Sequence, residues 1–176
     1  MTDQPSIETP NAAPQGRRDA MSQPNVFLVV VDNTTEMRVA LRFASLRAKR
    51  TGGRVGLLRV VRKADFQHWA AIGNLMREEA RDAAEQMLQD YAATVTELTG
   101  GEMPILYIKE GDIKSALVQL IDEDSQIRIL VLAAATGTRG PGPLIRFLMK
   151  KIIDKLRIPV TIVPGGLSDD QIDAVT

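Results

Sequence analysis

Two short segments hold the residues best placed for chemistry. One is Val30-Val31-Asp32-Asn33, where a carboxylate closes an apolar run. The other is Ala135-Thr136-Gly137-Thr138-Arg139-Gly140-Pro141-Gly142, which joins permissive glycines to the start of an apolar-periodic stretch. Free amides and a helix dipole at such a loop favour an anion. Pro141 and Pro143 work against this, because each removes a backbone donor. Asp32 reads two ways, as a ligand contact or as the polar end of a buried strand paired with Arg139. A glycine-rich loop between strand and helix is itself often only a turn.

Other chemistries find little support. There is one histidine, His68, and no cysteine, which argues against a histidine triad, a disulfide or a thiolate metal site. His68 and Trp69 fall near the start of a long helical stretch, where packing or surface exposure explains them. No G-x-x-x-x-G-K-[S/T] loop occurs, and Gly137 to Gly142 does not fit G-x-G-x-x-G. No activated nucleophile, acid–base pair or carboxylate cluster for a metal is visible, so no catalytic residue is assigned. The patch Arg47-Ala48-Lys49-Arg50, with Arg54, Arg59, Arg62 and Lys63, sits at a helix end where cations are favoured anyway. It lacks interleaved aromatics, and basic and acidic residues balance at 22 each, so nucleic acid is not an expected partner. No apolar run reaches the roughly 18–20 residues of a membrane span. The first residues also lack the apolar centre of a signal peptide, so the expected location is the cytoplasm.

The elements that must position the two segments alternate strand and helix. Val26 to Val31 is continuously apolar, as for a strand covered on both faces. Asp32-Asn33-Thr34-Thr35 follows with N-cap chemistry, and Asn33 with Glu36 has capping-box spacing. Met37, Ala40, Leu41, Ala44 and Ala48 then mark a helix that Thr51-Gly52-Gly53 stops. Further strands are expected at Val55–Val61, Met103–Lys109, Ile127–Ala133 and Pro159–Val163. Between them lie three helices. The first runs over about 65–98, broken near Gly73, with Leu75, Ala83, Met87, Tyr91 and Val95 inward. The second is capped by Asp112 and carries Ile113, Ala116, Leu117, Leu120 and Ile121. The third has Leu144, Leu148, Ile152 and Leu156 on one side. Residues 1–25 read as a disordered leader, with Met21 a possible true start, 26–166 as one domain, and 167–176 as a flexible acidic tail. Strands joined through helices pair in parallel by right-handed crossovers, and such sheets bind ligands beyond their carboxyl ends, where strand order reverses.

Val29-Val30-Val31-Asp32, Glu110-Gly111-Asp112, Gly137-x-x-Gly140 and Ile158-Pro159-Val160-Thr161-Ile162-Val163 follow one another at characteristic distances. In that order they resemble the universal stress protein family, from about Val26 to Pro164. The resemblance implies an open, Rossmann-like α/β fold, a five-stranded parallel sheet of order 3-2-1-4-5 with helices on both faces. It also implies a homodimer paired through Pro159–Val163. In the ATP-binding branch the two glycines are followed, after nine residues, by glycine and serine or threonine. Here that position is Lys150-Lys151. A lysine cannot reproduce a glycine's close backbone approach, although its ammonium can pair with phosphate from another angle. The tentative nucleotide site is therefore Val30, Val31, Asp32 and Val60 at the adenine end, with Gly137, Arg139, Gly140, Lys150 and Lys151 at the phosphate end.

Three functions follow. The first is a dimeric stress-response module acting through an unnamed protein partner, with weak or absent ATP binding. The second is a nucleotide-binding regulator holding ATP or AMP with magnesium. The third, an enzyme such as a slow ATPase, has least support.

Overall fold

The computed structural model describes residues 24–62, 70–138 and 140–176. The leader over residues 1–23 therefore lies outside the described residues, as do Lys63, His68, Trp69 and Arg139. Five strands, β1 (Val26–Val30), β2 (Arg54–Val61), β3 (Ile105–Glu110), β4 (Ile127–Ala134) and β5 (Val160–Pro164), form one parallel sheet. Their order is β3-β2-β1-β4-β5. Among the described residues five helices accompany them: α1 (Thr35–Thr51), α2 (Ala70–Thr99), α3 (Ile113–Glu123), α4 (Pro143–Phe147) and α5 (Asp169–Val175). A π-helical turn, Leu148–Ile152, continues α4.

β1 shows why the sheet is covered twice. Alternate side chains leave opposite faces of a strand. Phe27, Val29 and Val31 pack with Ala40, Leu41 and Ala44 of α1 and with Leu88 and Val95 of α2. Val26, Leu28 and Val30 pack on the other face with Leu117, Leu120 and Ile121 of α3 and with Ile145 and Leu148. Every residue of β1 is buried, so its unbroken apolar run is what a central strand requires.

Several expectations need correction. α1 is capped by Thr34, whose hydroxyl accepts from the Met37 amide, and not by Asn33. α2 runs unbroken past Gly73, and Leu75 is exposed. Its inward stripe is Ala84, Leu88, Ala92, Val95 and Thr99, because the sheet lies one residue round from the face that Ala83 and Met87 suggest. After Phe147 the π turn inserts an extra residue, so Ile145 and Leu148 are the buried pair and Leu144, Ile152 and Leu156 are only partly covered.

The acidic tail is the helix α5, started by a capping box between Ser168 and Gln171. Ile172 is fully buried, and Arg42 of α1 grips Asp173 with two hydrogen bonds of 2.8 and 2.7 Å. One buried isoleucine side chain contributes about 1.5–3 kcal/mol. That contact, with the arginine fork, holds α5 on α1 despite its charge.

The basic patch divides in the fold. Arg47 and Arg50 donate to the carbonyls of Thr176 and Asp173, and Arg54 donates to the Met103 carbonyl. Arg59 and Arg62 instead reach the carboxyl end of the sheet. None of the described helices is long and apolar enough to cross a membrane.

Candidate functional site

The strand order reverses between the parallel neighbours β1 and β4, and the chain leaves them toward opposite faces. A cavity of ≈ 820 Å³ opens there, a size suited to a small molecule. Val30, Val60, Val131 and Ala133 line its floor. α2 contributes Ala83, Ala84 and Met87, and α1 contributes Met37. The starts of α3 and α4 close it with Ile113, Lys114, Leu144 and Ile145.

Asp32 stands at the exit of β1. Its Oδ1 accepts from the amide of Thr34 at 2.9 Å and from its hydroxyl at 2.5 Å. This tight turn presents Thr34 as the cap of α1 and brings Glu36 into the first helical turn. Glu36 then crosses to the loop after β4, where its Oε1 accepts from the amide and the hydroxyl of Thr136 at 3.0 and 2.9 Å. These bonds hold the carboxyl at a pKa of about 2 against an ordinary 4.5, the Thr136 amide being the largest cause. Next to it, the Gly165 amide donates to the Ala134 carbonyl at 3.1 Å. Glu36 thus ties together the exits of β1 and β4, beside that of β5.

Arg59 holds the other side. It leaves β2 on the α2 face, and its Nη1 donates to the Val31 carbonyl at 3.1 Å. Val31 is buried, and its amide donates to Leu58 at 2.8 Å. Asp112, at the exit of β3, accepts from the amides of Lys114 and Ser115, each at 3.1 Å.

The tentative site residues do not all meet. Val30, Asp32 and Val60 line the cavity, and the buried Val31 accepts from Arg59 through its carbonyl. Gly137 and Gly140 adopt left-handed φ values of 111 and 81°, but neither lines the cavity. Lys150 and Lys151 are exposed on the π turn and do not line it. Pro141, Gly142 and Pro143 line that edge instead. Lys114 carries no local signal of a site role, Arg59 and Arg62 belong by sequence to a helix-end basic patch, Glu36 has the spacing of a capping residue, and Thr136 is one hydroxyl within the glycine-rich segment. Only the register of β2 against β1 puts Arg59 beside Val31.

The model of the universal stress protein family matches residues 25–164 of this chain. The chain belongs to the universal stress protein family. Solved structures agree in fold. The universal stress protein UspA from Lactobacillus plantarum is 21% identical, with a TM-score of 0.60 over 81% of this chain and 99% of that one. A universal stress protein in complex with cAMP is 16% identical, with a TM-score of 0.59 over 82% and 100%. The universal stress protein from Archaeoglobus fulgidus in complex with dAMP is 19% identical, with a TM-score of 0.51 over 81% and 98%. None of the curated proteins matches the chain. In this chain the loop after β4 carries Gly137 and Gly140, and Lys150 and Lys151 are exposed.

Proposed function

We propose that the chain is a non-catalytic regulatory module of the cytoplasmic stress response, a homodimer that acts through a protein partner and binds ATP weakly or not at all. The observation that carries this reading is the engagement of the Thr136 amide by the chain's own Glu36. A triphosphate needs several converging donors at this loop. One is already taken by a carboxylate, and Pro141 and Pro143 offer no N–H. Lys150 and Lys151 are exposed and are not among the residues that line the cavity. The carboxylates around the cavity argue against catalysis, since Asp32, Glu36 and Asp112 each accept hydrogen bonds that anchor a loop or a helix start. Dimerisation fits β5, an edge strand bearing the exposed Ile162.

A second reading, a nucleotide-binding regulator, is favoured by the intact cavity and by the cAMP and dAMP complexes of similar proteins.

Thermal unfolding with magnesium and ATP separates the two. Ligand at about 100 times its Kd stabilises by about 2.7 kcal/mol. In a chain of this size that raises Tm by roughly 5–10 °C. The proposal expects no measurable rise at millimolar ATP, and a rise of that size would overturn it. Product analysis after long incubation would expose any hydrolysis.

A further inference from the structure

We propose that the side of α1 covered by α5 is a docking surface for an acidic helix of a protein partner, and that α5 is its tethered stand-in. The inference rests on the reading that the chain acts through a protein partner, and it names the surface and the partner's chemistry.

α5 lies beyond the residues that the family model matches, which end at 164. Asp169-Asp170-Gln171-Ile172-Asp173-Ala174-Val175 carries three carboxylates and no base. The side of α1 beneath it has the opposite sign. Arg42 pairs with Asp173 at 2.7 Å and with Asp169 at 3.4 Å. Further along α1, Arg47 and Arg50 donate to the carbonyls of Thr176 and Asp173. The free carbonyls at the end of a helix attract such cations. Two kinds of contact thus define the surface, a socket for one aliphatic side chain and a row of arginines.

The hold on α5 is slender. Ile172 is the one residue of the helix that is buried, and Val175 leaves 61% of its surface exposed. A helix of seven residues does not stand alone in water, so α5 is folded only while docked. Its ion pairs are partly exposed, where each contributes little and salt screens it. Segments held in this way open more readily than a core. Leu167 packs on the core just ahead of the Ser168 cap, so a released α5 stays beside the surface it has left. An occupant from another molecule therefore needs contacts that α5 does not make.

The fold offers them. A groove of ≈ 1040 Å³ lies between α1 and α2, with Arg42 and Asp169 among its lining. Leu41, Met87 and Tyr91 make part of it apolar, while Asp90 and Glu97 enter from α2 and disfavour further acid. Asp169 is the first residue of α5, so a longer helix enters the groove with residues that precede its first carboxylate. The pattern recognised is an aliphatic residue with carboxylates three before and one after it, as in Asp169, Ile172 and Asp173, preceded by apolar residues. A nucleic acid could meet the arginines but has nothing for the socket.

Fluorescence anisotropy with an alanine-based helical peptide carrying Asp-x-x-Ile-Asp tests this. In the parent, binding is reduced to the fraction of time the surface is free. The full chain with Ile172→Asp, whose α5 no longer fills the socket, should bind about tenfold or more tighter than the parent. Serine in place of the peptide's isoleucine should abolish binding. Adding Arg42→Gln to the Ile172→Asp chain should weaken binding by about tenfold or more, the loss expected of a charge-assisted hydrogen bond. Retained hydrogen-exchange protection of β1 would verify the fold of each variant. Hydrogen exchange of the parent is a second test that needs no variant. Amides of α5 should exchange about tenfold or more faster than those of β1, and faster again in high salt.

An α5 protected as strongly as β1 would overturn the proposal. So would a peptide that bound neither chain, bound both equally or bound without its isoleucine. A mixed-sequence DNA duplex binding the Ile172→Asp chain in the peptide's place would overturn it too. Thermal unfolding with ATP bears on the proposed function alone, so a failure here is distinct from a failure of that reading.

Discussion

Replacing Gly165 with alanine should damage both stability and the crevice. A Cβ at this position would lie 2.3 Å from the Ala134 carbonyl oxygen, 2.6 Å from Cγ of Glu36 and 3.0 Å from its Cβ. The obstacle is space, since backbone and a tethered side chain surround the position. The Ala134 oxygen is fixed in β4, so the exit of β5 must retreat and stretch the 3.1 Å bond from the Gly165 amide. Glu36 must also move, and with it the grip on Thr136.

Overpacking of this kind costs about 1–3 kcal/mol, and a weakened hydrogen bond adds about 1 kcal/mol. Reduced freedom of the unfolded chain returns about 0.4–1 kcal/mol. A net loss of about 1–3.6 kcal/mol lowers Tm by roughly 2–14 °C in a domain of this size. Calorimetric or circular-dichroism melting measures it, and the Thr136 amide resonance should shift in the same variant. Gly166→Ala is the control, because its Cβ would meet only Cγ2 of Thr136 at 3.8 Å. If Gly165→Ala melted no lower than Gly166→Ala, the steric reasoning would be refuted.

Tyr107 and Ile162 give further tests. The Tyr107 hydroxyl donates to Asp124 Oδ2 at 2.7 Å, and burial, followed by that bond, pushes the phenol well above its ordinary 10.0. Tyr107→Phe should lose about 1 kcal/mol, read by urea unfolding at neutral pH. Because the folded form retains its proton longer than the unfolded chain, this contribution is intact below about pH 10 and declines above it. The gap between parent and variant should therefore narrow in alkali, and a constant gap would contradict the assignment. For the dimer, light scattering should find two chains per particle in the parent and one in Ile162→Lys, since a charge on the edge strand blocks pairing. A monomeric parent, or a variant that stays dimeric, would reject pairing through β5.

What the sequence made legible was set by local patterning. Val26 to Val31 could only be a strand buried on both faces, and Asp112 with Ile113, Leu117, Leu120 and Ile121 specified α3 from cap to stripe. The misreadings come from contacts distant along the chain. Asn33 and Glu36 fit a capping box, but Asp32 turns the loop so that Thr34 caps, and Glu36 meets a residue 100 positions away. The spacing of Leu144, Leu148, Ile152 and Leu156 suggested a regular helix, and nothing local announces a π turn. α5 is a different case. Ser168 and Gln171 have capping-box spacing, and Ile172 is its buried anchor, so the signal was present beneath an acidic composition.

The crevice and its ligand preference have different origins, and this explains why one was readable and the other was not. The crevice follows from topology. After β1 the chain turns toward the face of α1, and after β4 toward the face of α4, so neighbouring strands part whatever their side chains. Recognition belongs to whichever groups the loops and strand ends deliver to that gap. Here the glycine-rich loop is held by Glu36, while Arg59 reaches the gap from β2 through strand pairing and not through a motif. A pattern that looks for anion binding only in the loop after β4 examines the side of this cavity that already holds a negative charge. Arg59 becomes visible at the gap once β1 and β2 are laid in register.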